Sequence, residues 1–187
     1  MINGQVRVSG VVTYWTMAEH SSHRAIADGF GAIGCKEYAP PPVPPAAALR
    51  SALCDCFQDP TTLIRPLGEK NGFVVLKEER GQSANQYQQA LMAKIMDDGR
   101  TIQFSPMDAR AAQVVGAFNL RHGHLPAGQV SACMVKFLGS LGMTSLRESG
   151  GVYWLPGSRL DRWRQVCGVI EGAGIGHRNR VYVISHA

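Results

Sequence analysis

The segment formed by residues 129–171 constrains the fold of this chain most, because it has the clearest periodicity in the sequence. Apolar side chains in its first part recur at intervals of three and four residues, the spacing that places them on one face of a helix. This spacing predicts an amphipathic helix over residues 129–141. Its apolar face is formed by Val130, Cys133, Met134, Phe137, Leu138 and Leu141.

A glycine-centred hairpin and a second helix follow within the same segment. Ser149-Gly150-Gly151 is typical of a tight turn, so residues 144–148 and 152–155 are expected to pair as strands. Ser158 is a residue type that caps helices, and the apolar positions after it again have helical spacing. The expected apolar face of this second helix is formed by Leu160, Trp163, Cys167 and Ile170.

Residues 107–122, which precede this segment, also have helical periodicity. Asp108 falls in the expected first turn, where the helix dipole favours an anion. Two helices, a hairpin and a further helix follow the order of a winged helix-turn-helix, whose second helix enters the major groove of DNA. We therefore predict a C-terminal winged-helix-like domain over residues 106–187.

The first part of the chain predicts a strand, a helix and a proline-rich connection. Residues 5–17 are rich in β-branched and aromatic side chains, as strands are. A helix is expected over residues 23–33, with Ser21 or Ser22 as its N-cap. Residues 39–45 (APPPVPP) favour an extended polyproline II conformation. No arginine flanks this run at recognition spacing, so a stiff spacer is favoured over a docking ligand for a proline-recognition domain.

Residues 46–104 complete the expected N-terminal domain. A helix is predicted over residues 46–57, where leucines share one face. Short apolar runs separated by turn signals such as Asn71-Gly72 predict an antiparallel sheet over residues 61–104. The expected fold class is therefore α+β, with an antiparallel sheet and packed helices. An N-terminal domain is placed at residues 1–105 and the winged-helix-like domain at 106–187.

Positive charge accumulates toward the end of the chain. The formal net charge is +5, yet residues 1–60 carry four basic and five acidic side chains. Residues 145–187 carry six arginines, no lysine and three acidic side chains. The planar guanidinium group suits contacts with phosphate better than the ammonium of lysine does. This asymmetry favours an anionic partner.

The leading hypothesis from the sequence is a non-catalytic protein that binds DNA or RNA, mainly through the phosphate backbone. The polar face of the 129–141 helix offers only two serines, one glutamine and one lysine, which is poor for reading base edges. Downstream arginines would contact phosphates. Tyr153 and Trp154 on the hairpin would stack on exposed bases. The alternative is that one of these adjacent residues faces the core and the other is partly exposed, as strand alternation requires. The residues expected to bind nucleic acid are Arg121, Lys136, Arg147, Tyr153, Arg159, Arg162, Arg164, Arg178 and Arg180.

The spacing of histidines and cysteines does not match a metal site. Cys54 and Cys56 form a CxC pair, and on a helix they would point about 200° apart, which opposes shared ligation. His20-x-x-His23 and His122-x-His124 lack a partner pair at zinc spacing. We therefore expect no bound metal.

Catalytic motifs are not recognisable either. The sequence contains no nucleophile elbow and no HExxH pattern. The glycine-rich segments 29–34 and 168–176 lack the strand-to-helix context of a phosphate-binding loop. A protein without catalytic residues and without a cofactor is the expectation.

Composition indicates a reducing compartment. The five cysteines are an odd number in mostly apolar surroundings, which favours buried, reduced thiols over disulfides. No apolar run approaches the roughly 20 residues that span a bilayer, and residues 1–10 do not resemble a secretory signal. A cytoplasmic protein without a membrane partner is therefore expected.

Two passages resemble known sequences. GVVTYW followed by the proline run, and later LRESGGVYWLP, resemble domains of unknown function from bacterial and phage genomes. The resemblance implies no activity. Separately, the absence of catalytic motifs leaves an alternative hypothesis, which is a protein-interaction adaptor or a subunit of a bacterial or phage assembly.

Overall fold

The computed structural model describes residues 9–68, 71–80, 85–148 and 150–185. Its helices are α1 His23–Ala32, α2 Pro45–Cys56, α3 Ala111–His122, α4 Ala127–Ser140 and α5 Leu160–Gly172. Its strands are β1 Gly10–Thr16, β2 His20–Ser22, β3 Thr62–Pro66, β4 Gly72–Arg80, β5 Asn85–Ile95, β6 Ile102–Ser105, β7 His124–Pro126, β8 Thr144–Ser145, β9 Tyr153–Pro156, β10 Gly174–Ile175 and β11 Arg180–Ser185. All strand pairs are antiparallel, and the expected α+β fold class is confirmed.

The chain forms two compact units, and one of them contains both ends of the chain. Unit 1 comprises residues 1–41 and 124–187, and unit 2 comprises residues 42–123. This division differs from the predicted boundary between residues 105 and 106. The reason is that β1 pairs with β9 on one side and with β11 on the other, which joins distant parts of the chain in one sheet. The boundary between residues 41 and 42 falls inside the proline-rich run, residues 39–45.

Unit 1 is built on a four-stranded sheet with the order β11-β1-β9-β8. Helices α4 and α5 supply the apolar side chains that cover one face of this sheet, and the spacing that predicted both helices is confirmed. Part of the predicted strand 5–17 falls on residues 5–8, which lie outside the described residues. The buried core contributed by α5 consists of Trp163, Val166, Cys167 and Ile170.

A second sheet of unit 1, β10-β2-β7, has strands of only two or three residues and is not anticipated by the sequence. The buried side chain of Asn179 holds it in place. Its Oδ1 accepts a hydrogen bond from the Ala18 amide at 2.8 Å. Its Nδ2 donates to Ser21 Oγ at 3.0 Å and to the Ile170 carbonyl at 2.8 Å. One amide group therefore joins β2, α5 and the segment after β1.

Unit 2 contains the predicted antiparallel sheet, with the order β3-β4-β5-β6. Helices α2 and α3 pack together, and their apolar faces share one core with the sheet. Asn71-Gly72 leads into β4, but the preceding residues of that turn lie outside the described residues. Fully buried members of this core include Leu49, Leu53, Leu91 and Phe118.

Two predicted helix starts are wrong. α3 begins at Ala111 and not at residue 107, because Asp108 binds the Arg110 amide at 2.8 Å and stabilises a turn before the helix. The Arg110 guanidinium also donates to this carboxylate, which lowers the pKa of Asp108 to about 2. Ser158 does not cap α5. It lies in a short 3-10 turn, Gly157–Arg159, and α5 has no side-chain cap.

The winged-helix-like arrangement is not confirmed, although the helix–helix–hairpin–helix order is present. Here α3 packs on α2 in unit 2, whereas α4 belongs to unit 1. The β8–β9 hairpin is likewise part of a sheet through the pairing of β9 with β1.

Candidate nucleic-acid interface

Side chains of β1 alternate between two faces of the four-stranded sheet. Thr13 and Trp15 point toward the helices. Thr13 Oγ1 accepts a hydrogen bond from Trp163 Nε1 of α5 at 3.0 Å, and Trp15 Nε1 donates to Ser131 Oγ of α4 at 3.1 Å. This face is therefore the inner face, packed against α4 and α5.

The opposite face presents large side chains at its surface. In the register of the sheet, Val12 lies opposite Ile184 and Trp154, Tyr14 lies opposite Tyr182, and Thr16 lies opposite Arg180. Directly paired residues share a face. Ile184 is 51% exposed, Arg180 is exposed, and the others retain part of their surface. We call this surface the aromatic face, and its members are Val12, Tyr14, Trp154, Arg180, Tyr182 and Ile184.

The rings of the aromatic face are ordered by the sheet. Tyr14 and Tyr182 stack with their centroids 4.7 Å apart and their planes inclined by 13°. The Trp154 indole lies over Gly10, where an added Cβ would be 2.3 Å from Trp154 Nε1. The absence of a side chain at Gly10 therefore allows the indole to lie against the backbone of β1.

We expect the substitution Gly10→Ala to displace the Trp154 indole. The new methyl group would overlap the ring, and overpacking of this kind costs about 1–3 kcal/mol of stability. Near-ultraviolet circular dichroism would detect the displaced ring, and chemical denaturation would measure the loss. Gly31→Ala in α1 is the matched control, since a Cβ there meets nothing within 4 Å. An unchanged Trp154 signal in the Gly10 variant would contradict this packing.

Arginines lie on the aromatic face and at both ends of its sheet. Unit 1 carries ten basic and six acidic side chains, so it holds four of the five net positive charges. Among the strand residues that share the face there is one cation, Arg180, and no carboxylate. By the same register, Arg147 in the β8–β9 connection lies at the Arg180 end of the sheet, and Arg159 lies after β9 at the other end.

Four of the predicted arginines have exposed side chains. No salt bridge within the described residues joins a carboxylate to Arg147, Arg159, Arg178 or Arg180. Two of them border a cleft of about 510 Å³ at the end of α5. In this cleft, Glu171 Oε1 accepts a hydrogen bond from the Val181 amide at 2.9 Å. The cleft is lined by Glu171, Gly172, Gly174, Arg178, Asn179 and Arg180.

Other predicted cations are engaged elsewhere in unit 1. The Arg162 guanidinium donates to the Gly34 carbonyl at 3.3 Å and to Cys35 Sγ at 3.0 Å, beyond the end of α1. Arg164 lies 3.8 Å from Asp161. Lys136 Nζ lies 5.6 Å from the centre of the Tyr38 ring. Arg162 is therefore held against the end of α1, whereas Arg164 and Lys136 make these contacts and remain exposed.

Two predicted residues do not join the exposed arginines. Arg121 belongs to unit 2, where its guanidinium binds Asp55 and the Ala117 carbonyl. Tyr153 lies on the inner face, because it pairs with Thr13 and stacks on Trp15 at 5.3 Å. Trp154 is the residue of the hairpin that points outward, as strand alternation requires for one of the two.

Sequence reasoning missed Tyr14 and Tyr182. Each lies in a strand segment whose alternation is visible, TYWT in β1 and VYVIS in β11. Alternation along one strand shows which residues share a face, but it does not show which strands are neighbours. The two tyrosines meet only because the last strand of the chain pairs with the first described strand.

The buried thiols are poor nucleophiles. Burial raises the pKa of Cys133 to about 11, and burial together with nearby Glu171 raises that of Cys167 to about 12. Burial, with a smaller contribution from Asp55, also raises the pKa of Cys56. All five cysteines are free. Across the described ranges, no group of three histidine, cysteine or acidic side chains is arranged to hold a metal ion.

The chain belongs to a family of unknown function, DUF6744, whose sequence model matches residues 9–187. Comparison with curated proteins and with solved structures finds no match. In the part of the chain that the structure describes, no helix has the length and apolar character needed to cross a membrane. The family description states no activity.

Proposed function

We propose that this protein is a non-catalytic nucleic-acid-binding protein that contacts mainly the phosphate backbone through unit 1. The observation that carries the proposal is the set of four exposed arginines without carboxylate partners among the described residues. Guanidinium groups that are not neutralised by the protein are available to phosphates, which they bind through paired hydrogen bonds.

The distribution of charge supports this proposal. Unit 1 carries most of the net positive charge, while unit 2 is close to neutral. Phosphate contacts supply affinity without base specificity, so weak sequence preference is expected. Helix α4 agrees with this expectation, because it offers few side chains that read base edges. Free cysteines agree with a cytoplasmic location, which is part of the same proposal.

Binding should weaken steeply as salt rises. If four arginines each release a counterion from a phosphate, the dissociation constant should increase roughly 50- to 150-fold between 50 and 200 mM salt. Fluorescence anisotropy with labelled oligonucleotides measures this change directly. The absence of binding to both single-stranded and duplex DNA and RNA at about 50 mM salt would overturn the proposal.

The double variant R178Q/R180Q tests the assigned arginines. It should weaken binding and reduce the magnitude of the salt slope by about 1.4–1.8, since two phosphate contacts are removed. R24Q is the control, because it also removes an exposed positive charge from unit 1, but one that is paired with Asp28 at 3.5 Å. Because R24Q removes one charge and the double variant removes two, an R24Q effect on the salt slope about half that of the double variant would show that net charge, and not these positions, determines binding.

A pull-down from lysate separates the proposed function from the adaptor hypothesis. The same preparation is analysed with and without nuclease treatment. A nucleic-acid-binding protein loses its co-purified material after nuclease treatment. An adaptor retains a defined protein partner under both conditions.

A further inference from the structure

We propose that the aromatic face is a base-stacking surface and that the nucleic acid bound by this protein is single-stranded. This inference rests on the proposed function and adds to it the class of ligand. It is carried by the stacked pair Tyr14–Tyr182, by Trp154 against Gly10, and by Arg180 on the same face.

The aromatic face has the chemistry of a surface on which bases stack. Three aromatic rings on one partly exposed sheet surface give flat, apolar areas on which unpaired bases stack, whatever their sequence. Val12 and Ile184 extend the apolar area beside the rings. The inner face of the same sheet is already filled by α4 and α5, so the two faces have different roles.

The charge of the aromatic face complements that of a nucleic-acid strand. A strand of nucleic acid brings one phosphate with every base, so a stacking surface for it needs cations nearby. Arg180 belongs to the face itself, and Arg147 and Arg159 lie at opposite ends of the sheet. Strand residues sharing the face contribute no carboxylate to repel phosphates. An acidic partner without flat apolar groups would leave the aromatic rings without a contact. A purely apolar partner would leave the arginines without one.

The aromatic face discriminates between single and double strands. In a duplex the bases are already stacked on one another and their flat surfaces are covered, so aromatic rings on a sheet have nothing to stack on. Single strands expose those surfaces. Sheets that present aromatic side chains in this way bind unpaired bases. The face therefore favours single-stranded DNA or RNA over duplex.

The test compares single strands with duplex at about 50 mM salt. Labelled oligo-dT and oligo-U of about 20 nucleotides and a duplex of the same length are titrated with the full chain and followed by anisotropy. We expect the single strands to bind at least about 10-fold more tightly. The variants Y14A and Y182A should each weaken single-strand binding by about 5- to 150-fold, which corresponds to the loss of one stacked base.

Matched variants separate stacking from other effects. Y14F and Y182F retain the rings and should bind like the unmodified protein, whereas Y87A removes a ring that is 53% exposed in unit 2 and should have no effect. Loss of stacking should not alter the salt slope, in contrast to R178Q/R180Q. Stacking on Trp154 should also quench tryptophan fluorescence upon addition of oligo-dT, and W154F should reduce that quenching. The quenching measurement tests stacking on the aromatic face even if an alanine variant does not fold.

The outcomes distinguish the two proposals. Equal affinity for single strands and duplex, with Y14A and Y182A unaffected and R178Q/R180Q weakened, overturns the stacking surface and leaves backbone binding intact. Failure of every nucleic acid to bind overturns both. A dimer detected by light scattering, which Y182A converts to a monomer, would mean that a second copy of the chain covers the face, and this result also overturns the inference.

Discussion

Alanine in place of Trp163 should lower the free energy of unfolding of unit 1 by about 3–5 kcal/mol, the range found when a buried tryptophan is truncated. Trp163 is fully buried. Its indole lies between the sheet and the helices, 6.2 Å from the ring of Trp15 and 6.4 Å from that of Phe137. The substitution removes these contacts and leaves Thr13 Oγ1 without its donor. It should therefore loosen the inner face of the sheet.

The measurement is chemical denaturation followed by tryptophan fluorescence. All three tryptophans of the chain lie in unit 1, so the signal reports that unit even if unit 2 unfolds separately. W163F retains a ring and should lose only about 1–2 kcal/mol, mainly through the missing hydrogen bond to Thr13. W154A, which changes the opposite face, should lose less than W163A. Equal losses for W154A and W163A would contradict the assignment of the two faces.

Alanine in place of Asn179 should lower the free energy of unfolding by about 2–4 kcal/mol, because buried polar groups lose their partners. Asn179 is 1% exposed. The substitution leaves the Ala18 amide, the Ser21 hydroxyl and the Ile170 carbonyl without the hydrogen bonds that they make with this amide. We expect the short sheet β10-β2-β7 to lose order first.

Hydrogen exchange tests that local expectation. The amide of Ala18 should exchange faster in the Asn179 variant, since it loses its acceptor. N119A in α3 is the control, because Asn119 is exposed and its substitution should change stability by no more than about 0.5 kcal/mol. Equal free energies of unfolding for the two asparagine variants would show that the hydrogen bonds of Asn179 do not stabilise the fold.

Local periodicity predicted most of the helices and the unit 2 sheet. The spacing of Val130, Met134 and Phe137 identifies α4, because a helix that packs against one core must place apolar residues on one face. The spacing of Trp163 and Ile170 identifies α5 in the same way. Neighbouring strands joined by short turns made the sheet β3-β4-β5-β6 equally visible. The short strands of β10-β2-β7 could not be predicted, because two or three residues are too few to show an alternating pattern.

The candidate site was predicted in part. Composition pointed to the arginines of residues 145–180, and the exposed side chains of Arg147, Arg159, Arg178 and Arg180 fit the proposed role. The sequence did not show that Arg162 contacts Cys35, because 127 positions separate the two residues. It also did not show that Tyr14 and Tyr182 stack on each other. Contacts between residues far apart in sequence leave no local pattern.

The sequence by itself determined the α+β class, the apolar faces of α4 and α5, and the accumulation of arginine toward the end of the chain. Each of these depends on neighbouring residues or on composition. Only the tertiary structure decided that both parts of unit 1 meet in one sheet and that Trp154, and not Tyr153, faces outward. The pairing of β1 with β9 and β11 is responsible, because strand register assigns every side chain to one face or the other. That pairing assembles the aromatic face from residues more than a hundred positions apart.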